Sequence, residues 1–335
     1  MRLTSELLHN AARSTTSDLL LHNEDVICVY LTGSALGEQP LIGGTTDIDL
    51  ICVHSIEAPI PRELRSLAED YHLDIAHYTQ SQFGQAKSLR LNPWLGSYLC
   101  FNPLLLYDSQ HWFEFTQAGV FSQFLQPSMV FQRVRPFIQQ ARQKWLELNQ
   151  SSAEPNVDNL WKFLKALEYA GNSLACLVGV PLTERRFIQD LPARTDALER
   201  PGLSSGLVDL FCPAEETELN WQPWLESWRK TILTANEKKH CPVKINSIRI
   251  PYYENAILSL IQENRNSALW ILLRTWTLAV AQLAQSAPEV TPWHQFTSSL
   301  NLGKEQFFIR LKELDIYLEA VEETVDLWAK QNGAN

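Results

Sequence analysis

The chain has 335 residues, of which 45% are hydrophobic and 20% charged. This length predicts two domains, and the apolar content excludes intrinsic disorder because its burial can offset the entropy lost on folding. Lysine and arginine number 28 against 38 aspartates and glutamates, a formal net charge of −10. Because no basic run is present, the chain is not expected to bind extended nucleic acid.

The six cysteines occur singly, with no CxxC pair, which disfavours a zinc site and a disulfide framework. The opening residues lack the apolar stretch of a signal peptide. The longest apolar stretch, residues 268–284, is interrupted by Arg274 and two threonines and therefore predicts a buried helix instead of a membrane span. The cytoplasm is the expected location, with no membrane partner.

Short strands and helices alternate over the first part of the chain, up to about residue 120. Apolar residues at helical spacing predict an opening helix over residues 1–22. The stretch from Pro61 to Tyr71 predicts a helix with proline in its first turn, and glycines predict a loop over residues 35–46. Apolar runs rich in β-formers predict strands at residues 26–31, 47–53, 73–78 and 104–108.

Beyond residue 120 the periodicity is helical, and loops with proline or glycine separate the segments. The stretch from Val243 to Ile250 is a weak strand candidate. The predicted helices cover residues 130–150, 157–179, 215–239, 253–286 and 303–331. The sequence therefore predicts an α+β fold, with a small mixed-sheet α/β domain over residues 1–125 and an all-helical domain over residues 126–335.

Three aspartates on two predicted strands form the most informative pattern. Alternation along a strand places Asp47 and Asp49 on one face and Ile48 and Leu50 on the other. Asp74, on the next predicted strand, joins them if the two strands are neighbours. Because carboxylates repel one another and are costly to bury without a cation, a hard divalent ion such as Mg²⁺ would resolve the conflict.

A glycine–serine pair ends the strand that precedes these acids. Gly33 provides a turn without side-chain bulk, and the backbone amides and the Ser34 hydroxyl could reach a phosphate oxygen. The alternative is that Asp47 and Asp49 end a strand and bind only solvent. The apolar residues around the two acids disfavour that alternative.

The order of these features resembles the DNA polymerase beta-type nucleotidyltransferase superfamily: an apolar strand, Gly-Ser, a spacer, Asp-x-Asp and a later Asp on a strand. The likeness in motif covers about residues 26–78, and beyond it a small α/β domain followed by a helical one looks most like the aminoglycoside nucleotidyltransferases. Many relatives carry a basic residue shortly after Gly-Ser, whereas Ala35-Leu36-Gly37-Glu38 follows here. The matching residues are Gly33, Ser34, Asp47, Asp49 and Asp74.

The resemblance implies an enzyme that moves a nucleoside monophosphate from an NTP, with ATP as the first choice, to a hydroxyl of a small molecule. An aminoglycoside-like acceptor is the best single choice. Asp47, Asp49 and Asp74 would be the catalytic residues and would hold two Mg²⁺ ions. Asp74 is also the first candidate for the general base, and Glu168 and Glu184 are alternatives.

The resemblance also implies which residues bind the nucleotide. Gly33 and Ser34 would contact the phosphates, and by analogy with two-domain relatives Lys165 would face the triphosphate. His72 and His77 flank Asp74 in the sequence and are predicted to be structural, because a single histidine is a weak metal signal. Strand alternation places His77 on the face opposite Asp74.

Two other functions stay open at this point. A nucleotidyltransferase of this kind could modify a protein side chain, adenylylating a partner. Alternatively, the chain could be a non-catalytic nucleotide sensor or an antitoxin-like binding module that kept the fold. Three intact acids argue against the second alternative, since a pure binder does not need a two-metal site.

Overall fold

The computed structural model describes residues 3–58, 60–150, 155–212, 220–238 and 240–334. The chain divides into two units, residues 1–129 (unit 1) and residues 130–335 (unit 2). Unit 1 contains a five-stranded mixed sheet, and the described part of unit 2 is mostly helical. The predicted α+β fold class is therefore confirmed.

The sheet of unit 1 has the strand order β3-β4-β2-β1-β5. Its strands β2 and β4 are parallel, and the other neighbouring pairs are antiparallel. Four strands lie where apolar runs predict them, and β1 is buried along its whole length. The strands are β1 (Val26–Thr32), β2 (Thr46–His54), β3 (Arg62–Ser66), β4 (Tyr71–Thr79) and β5 (Leu104–Asp108).

The helix predicted from Pro61 to Tyr71 is wrong. Residues Arg62–Ser66 form β3, which pairs antiparallel with β4 at the edge of the sheet. All five residues are exposed or half-buried, so no apolar face indicates a strand, and backbone pairing overrides the local helix propensity. Charged side chains also suit an edge strand, because they discourage pairing with another chain.

Helices cover both faces of this sheet. On one face α1 packs against residues such as Leu50, Cys52 and Ile75, and on the other face α2, α3 and α4 pack against residues such as Ile51 and Val53. Alternation along β2 thus gives Asp47 and Asp49 the face of Ile51 and Val53. The helices are α1 (Ser5–His22), α2 (Ala86–Leu91), α3 (Leu95–Cys100) and α4 (Trp112–Phe124).

The helices that follow agree in part with the periodicity. They are α5 (Pro127–Gln150), α6 (Val157–Val178), α7 (Phe187–Ala197), α8 (Gly202–Asp209), α9 (Trp221–Asn236), α10 (Ile250–Glu263), α11 (Arg265–Val280), α12 (Val290–Ser299) and α13 (Lys304–Gln331). The predictions over 130–150, 157–179 and 303–331 are confirmed as α5, α6 and α13. Within the prediction over 215–239, α9 is observed, and residues 215–219 and 239 lie outside the described residues.

Two predictions in unit 2 are wrong. The single helix predicted over 253–286 is two helices, because Asn264 ends α10 and its side chain accepts from the Ser267 amide to cap α11. The weak strand from Val243 to Ile250 consists of two short 3-10 turns and the first residue of α10. The buried helix predicted from the apolar stretch is present, since α11 is buried along most of its length.

In the described part of the chain no helix has the length and apolar character needed for a bilayer crossing.

Candidate active site

Two neighbouring strands bring the three predicted aspartates together. Asp47 and Asp49 lie on β2, and the parallel register of β2 and β4 places Asp74 directly beside Asp49. Each of the three offers a carboxylate oxygen, and these oxygens lie within 4.8 Å of one another. Asp47 and Asp74 are buried and Asp49 is half-buried. The three aspartates converge because β2 and β4 are neighbours, which is the condition under which the sequence predicted the cluster.

Gly33 borders this acidic cluster at the end of β1. Its φ of +80° lies in the region that favours glycine, and a Cβ at this position would collide with Oδ2 of Asp49. Gly33 is exposed, and Thr32 before it pairs with Asp49 across the β1–β2 ladder. The turn therefore needs glycine both for its backbone conformation and for the close approach of the carboxylate.

Ser34 begins a 3-10 turn directly after Gly33. Its carbonyl accepts from the Gly37 amide at 3.0 Å, and its hydroxyl lies 3.4 Å from Oγ1 of Thr46, the first residue of β2. Ser34 is half-buried. The predicted Gly-Ser pair thus lies beside the start of the strand that carries Asp47 and Asp49.

Arg62 is a residue of the site that the sequence analysis missed. Its Nε and Nη2 donate to the two oxygens of Asp74 at 2.5 and 2.7 Å, a bidentate ion pair. The Asp74 side chain is fully buried, whereas that of Arg62 is 45% exposed. Arg62 lies on β3, the strand that was predicted as a helix, so no strand pattern placed it opposite β4. The residues between the two strands, Leu67 to Asp70, contain no glycine or proline, so the turn between β3 and β4 carried no clear hairpin signal either.

Two tyrosines add neutral hydroxyls around the site, Tyr98 near Asp49 and Tyr78 near Arg62. Burial raises the pKa of Tyr98 on α3, and the charge of Asp49 raises it further against the opposing effect of Arg62. Burial also raises the pKa of Tyr78 on β4, while Arg62 opposes the shift. Both phenols are therefore protonated at neutral pH, and they add no negative charge to the carboxylates.

The acidic cluster offers the oxygen ligands that a hard divalent cation prefers. Mg²⁺ binds carboxylate oxygens and substrate phosphates in preference to nitrogen and sulfur ligands. Asp47, Asp49 and Asp74 supply such oxygens on one face of the sheet, and Gly33 leaves the neighbouring space without a side chain. These residues fit the metal that the sequence predicts, and Arg62 supplies a positive charge to Asp74.

Lys165, the predicted triphosphate ligand, lies on α6 in unit 2. Its Nζ donates to Oε2 of Glu168 at 3.0 Å and stands 4.5 Å from the centre of the Tyr169 ring. Burial lowers the pKa of the Lys165 ammonium, and Glu168 opposes this effect. The side chain therefore belongs to a half-buried ionic group and not to a fully solvated helix face, and its contact with a nucleotide stays a prediction.

Both glutamates named as alternative bases are engaged by cations. Glu168 accepts from the buried Arg274 as well as from Lys165. Burial alone would raise the pKa of Glu168, but these two cations outweigh it and hold that pKa at about 2. Burial would likewise raise the pKa of Glu184, and Lys244 and Arg274 lower it. Carboxylates held in this way are weak bases at neutral pH.

The histidine that flanks Asp74 on its C-terminal side points elsewhere, as strand alternation predicts. His77 contacts His54 on the α1 face of the sheet.

No protein-family model and no curated protein matches this chain. The function is therefore inferred from the side chains of the site and from the motif that orders them.

Proposed function

We propose that the protein is a Mg²⁺-dependent nucleotidyltransferase, which transfers a nucleoside monophosphate from an NTP, with ATP as the first choice, to a hydroxyl of a small molecule. The observation that carries this proposal is the convergence of Asp47, Asp49 and Asp74 within 4.8 Å. The turn at Gly33 supports it, because its glycine borders the Asp49 carboxylate. The resemblance in motif to the nucleotidyltransferase superfamily gives the type of reaction.

Each residue has a separate task in this reaction. Asp47, Asp49 and Asp74 hold the metal, and the amides that follow Gly33, with the Ser34 hydroxyl, contact phosphate oxygens. Mg²⁺, when bound, would neutralise phosphate charge and lower the pKa of the acceptor hydroxyl. The hydroxyl oxygen forms a bond to the α-phosphorus, the bond to pyrophosphate breaks, and the hydroxyl proton passes to a carboxylate oxygen.

Asp74 is the carboxylate proposed to take that proton, but only after Arg62, which holds Asp74 as other cations hold Glu168 and Glu184, has moved away. Both oxygens of Asp74 accept hydrogen bonds from Arg62. Each oxygen keeps a second lone pair, but the guanidinium competes with a metal ion and with a proton for the charge of Asp74. The exposed guanidinium is therefore proposed to move when the site is loaded, and its charge stays available for a phosphate oxygen.

The acceptor is proposed to be a polyhydroxylated cation such as an aminoglycoside. A formal net charge of −10 favours the approach of cations through the long-range field of the protein. The charge of the whole chain does not single out one acceptor. A panel of hydroxyl compounds with different charges is thus the right substrate set.

The decisive experiment follows label from ATP marked at its α-phosphate. Wild-type protein is expected to transfer label to a small molecule in the presence of Mg²⁺. Asp49→Asn should lower the rate by about three orders of magnitude, because bound metal contributes several kcal/mol to transition-state stabilisation. Asp18→Asn, which changes an exposed acid on α1, is the matched control and should leave the rate unchanged.

Each other result points to a different conclusion. Unchanged transfer by Asp49→Asn, shown to be folded by circular dichroism, would mean that the site is assigned wrongly. Label on a protein band would favour modification of a protein partner. Tight ATP binding with no transfer to any member of the panel would favour a nucleotide sensor.

A further inference from the structure

A second cluster of metal-ligating side chains lies on the other face of the same sheet. Cys52 and His54 alternate on β2, and His77 lies beside Cys52 in the parallel register of β4. The Cys52 Sγ is 3.4 Å from Nε2 of His54, and that nitrogen is 2.9 Å from Nδ1 of His77. One ligand atom from each residue lies within 4.8 Å of the others. The cluster shares no residue with the acidic cluster.

The outer nitrogen of each histidine faces a carboxylate. The Nδ1 of His54 lies 2.8 Å from Oδ2 of Asp25, just before β1. The Nε2 of His77 lies 3.8 Å from Oε2 of Glu63 on β3. Each ring therefore presents one nitrogen to the cluster and one to an acid. For His54 this is the arrangement in which a carboxylate fixes the tautomer of a metal-binding histidine, whereas Nε2 of His77 makes no hydrogen bond within the described residues and only faces the charge of Glu63.

The tautomers explain why a cation suits the centre of the cluster. A proton on Nδ1 of His54 satisfies Asp25 and leaves a lone pair on Nε2. If the proton of His77 faces Glu63 in the same way, its Nδ1 also carries a lone pair. In that state two lone pairs lie 2.9 Å apart, and a metal ion can bind both. In the other tautomer of His77 a proton lies between the two nitrogens, and the buried Nε2 of His77 then has no hydrogen-bond partner in the described part of the chain.

Burial of the cluster raises the cost of leaving any of its nitrogen or sulfur atoms without a partner. The side chains of His54 and His77 are 1% and 6% exposed, and Cys52 is fully buried. Water is thus largely excluded as a partner, and a poorly matched polar atom in such a place costs about 1–3 kcal/mol. A bound cation would satisfy the sulfur and both inner nitrogens together.

We propose that Cys52, His54 and His77 bind one zinc-class transition-metal ion, with Asp25 and Glu63 as the carboxylates that orient the rings. Sulfur and imidazole donors select Zn²⁺ over Mg²⁺. In a tetrahedral zinc site, bonds of about 2.0–2.3 Å place neighbouring ligand atoms about 3.3–3.6 Å apart. The observed separations of 2.9 and 3.4 Å need only small side-chain rotations to reach those values.

The sequence hides this site because its ligands do not follow a cysteine-pair pattern. Cys52 and His54 are two residues apart, a spacing that places both on one face of a strand. The third ligand, His77, comes from the neighbouring strand, and only the β2–β4 register brings it close. The prediction that a zinc site is absent used only the spacing of the cysteines. Cysteine spacing does not test a site with one cysteine and two histidines.

Cobalt binding tests the proposal on the full chain. Protein stripped with a chelator is titrated with Co²⁺, which replaces Zn²⁺ and reports thiolate ligation by a near-ultraviolet charge-transfer band. One equivalent should produce the band, Zn²⁺ should remove it, and a large excess of Mg²⁺ should not. Cys52→Ala should abolish the band, and Asp25→Asn should weaken binding about 10–100-fold through loss of the supporting carboxylate.

Two further variants provide the controls. Cys28→Ala removes a buried thiol of β1 that belongs to the other core of the sheet, and it should bind Co²⁺ like the wild type. Asp49→Asn should also bind normally, so failure of the proposed transferase activity and failure of this site can be distinguished. His77→Gln gives a second test if Cys52→Ala does not fold. No band in the wild type, or an equal band in His77→Gln, would overturn the proposal.

Discussion

At the scale of single residues, Gly33 couples the turn to the position of a carboxylate. Gly33→Ala would place a methyl group against Oδ2 of Asp49 in addition to straining a backbone with φ +80°. We expect the Asp49 carboxylate to move by about 1 Å and the transfer rate to fall about 100-fold, since small misplacements of reacting groups have effects of that size. Steady-state kinetics with labelled ATP measures the fall.

Gly44 offers the matched control for this substitution. Its φ is +73°, and nothing lies within 4 Å of the Cβ that alanine would add. Gly44→Ala should therefore cost only the left-handed strain, about 1 kcal/mol in urea unfolding, with near-normal transfer. Equal losses of activity in both variants would show that backbone strain matters here, and not the collision with Asp49.

At the scale of elements, the strands show why part of the site could be predicted. Apolar runs in the sequence identify β1, β2, β4 and β5. Alternation along β2 and β4 then places the three aspartates on one face of the sheet. β3 has no apolar face, since it is a charged edge strand. Arg62 was missed for that reason. The histidine–cysteine cluster was missed because only the register between β2 and β4 assembles it.

The ion pair between β3 and β4 gives a prediction about metal binding. Arg62→Gln removes the guanidinium from the buried Asp74 carboxylate. We expect a loss of about 1–2 kcal/mol in the free energy of unfolding, less than for a fully buried pair because Arg62 is partly exposed. Mn²⁺ should bind the variant more tightly and recover part of this loss, because it no longer competes with arginine.

Arg65→Gln is the control on the same strand. Arg65 pairs with Glu63 and not with the aspartates, so its replacement should leave Mn²⁺ affinity unchanged. Isothermal titration and urea unfolding with and without Mn²⁺ measure both effects. A stability difference between Arg62→Gln and the wild type that is the same with and without metal would contradict competition between Arg62 and a cation.

At the scale of the whole molecule, the two units differ in the charged side chains that they bring together. Unit 1 brings carboxylates together, whereas unit 2 has a partly buried group around Arg274 in which three cations face two acids: Lys165, Lys244, Arg274, Glu168 and Glu184. Trp94 and Trp112 lie in unit 1, which leaves nine of the eleven tryptophans in unit 2. Tryptophan fluorescence therefore reports mainly on the unfolding of unit 2.

The pH dependence of stability in unit 2 tests its buried ion pair. Glu168→Gln leaves the buried Arg274 without its closest carboxylate, and we expect a loss of about 3 kcal/mol near neutral pH. The folded pKa of Glu168 is about 2, below its ordinary value of 4.5. A depressed pKa stabilises the folded state above pH 4.5, and this contribution falls as pH decreases toward 2.

The difference between wild type and Glu168→Gln should therefore narrow as the pH falls from about 5 to about 3, because glutamine cannot gain a proton. Urea unfolding followed by tryptophan fluorescence measures this difference. Glu147→Gln is the control: its pair with Lys144 lies on the surface of α5 and should contribute less than about 1 kcal/mol. A difference for Glu168→Gln that does not change with pH would mean that Glu168 is not held ionised by Arg274, and its exclusion as a general base would then fail.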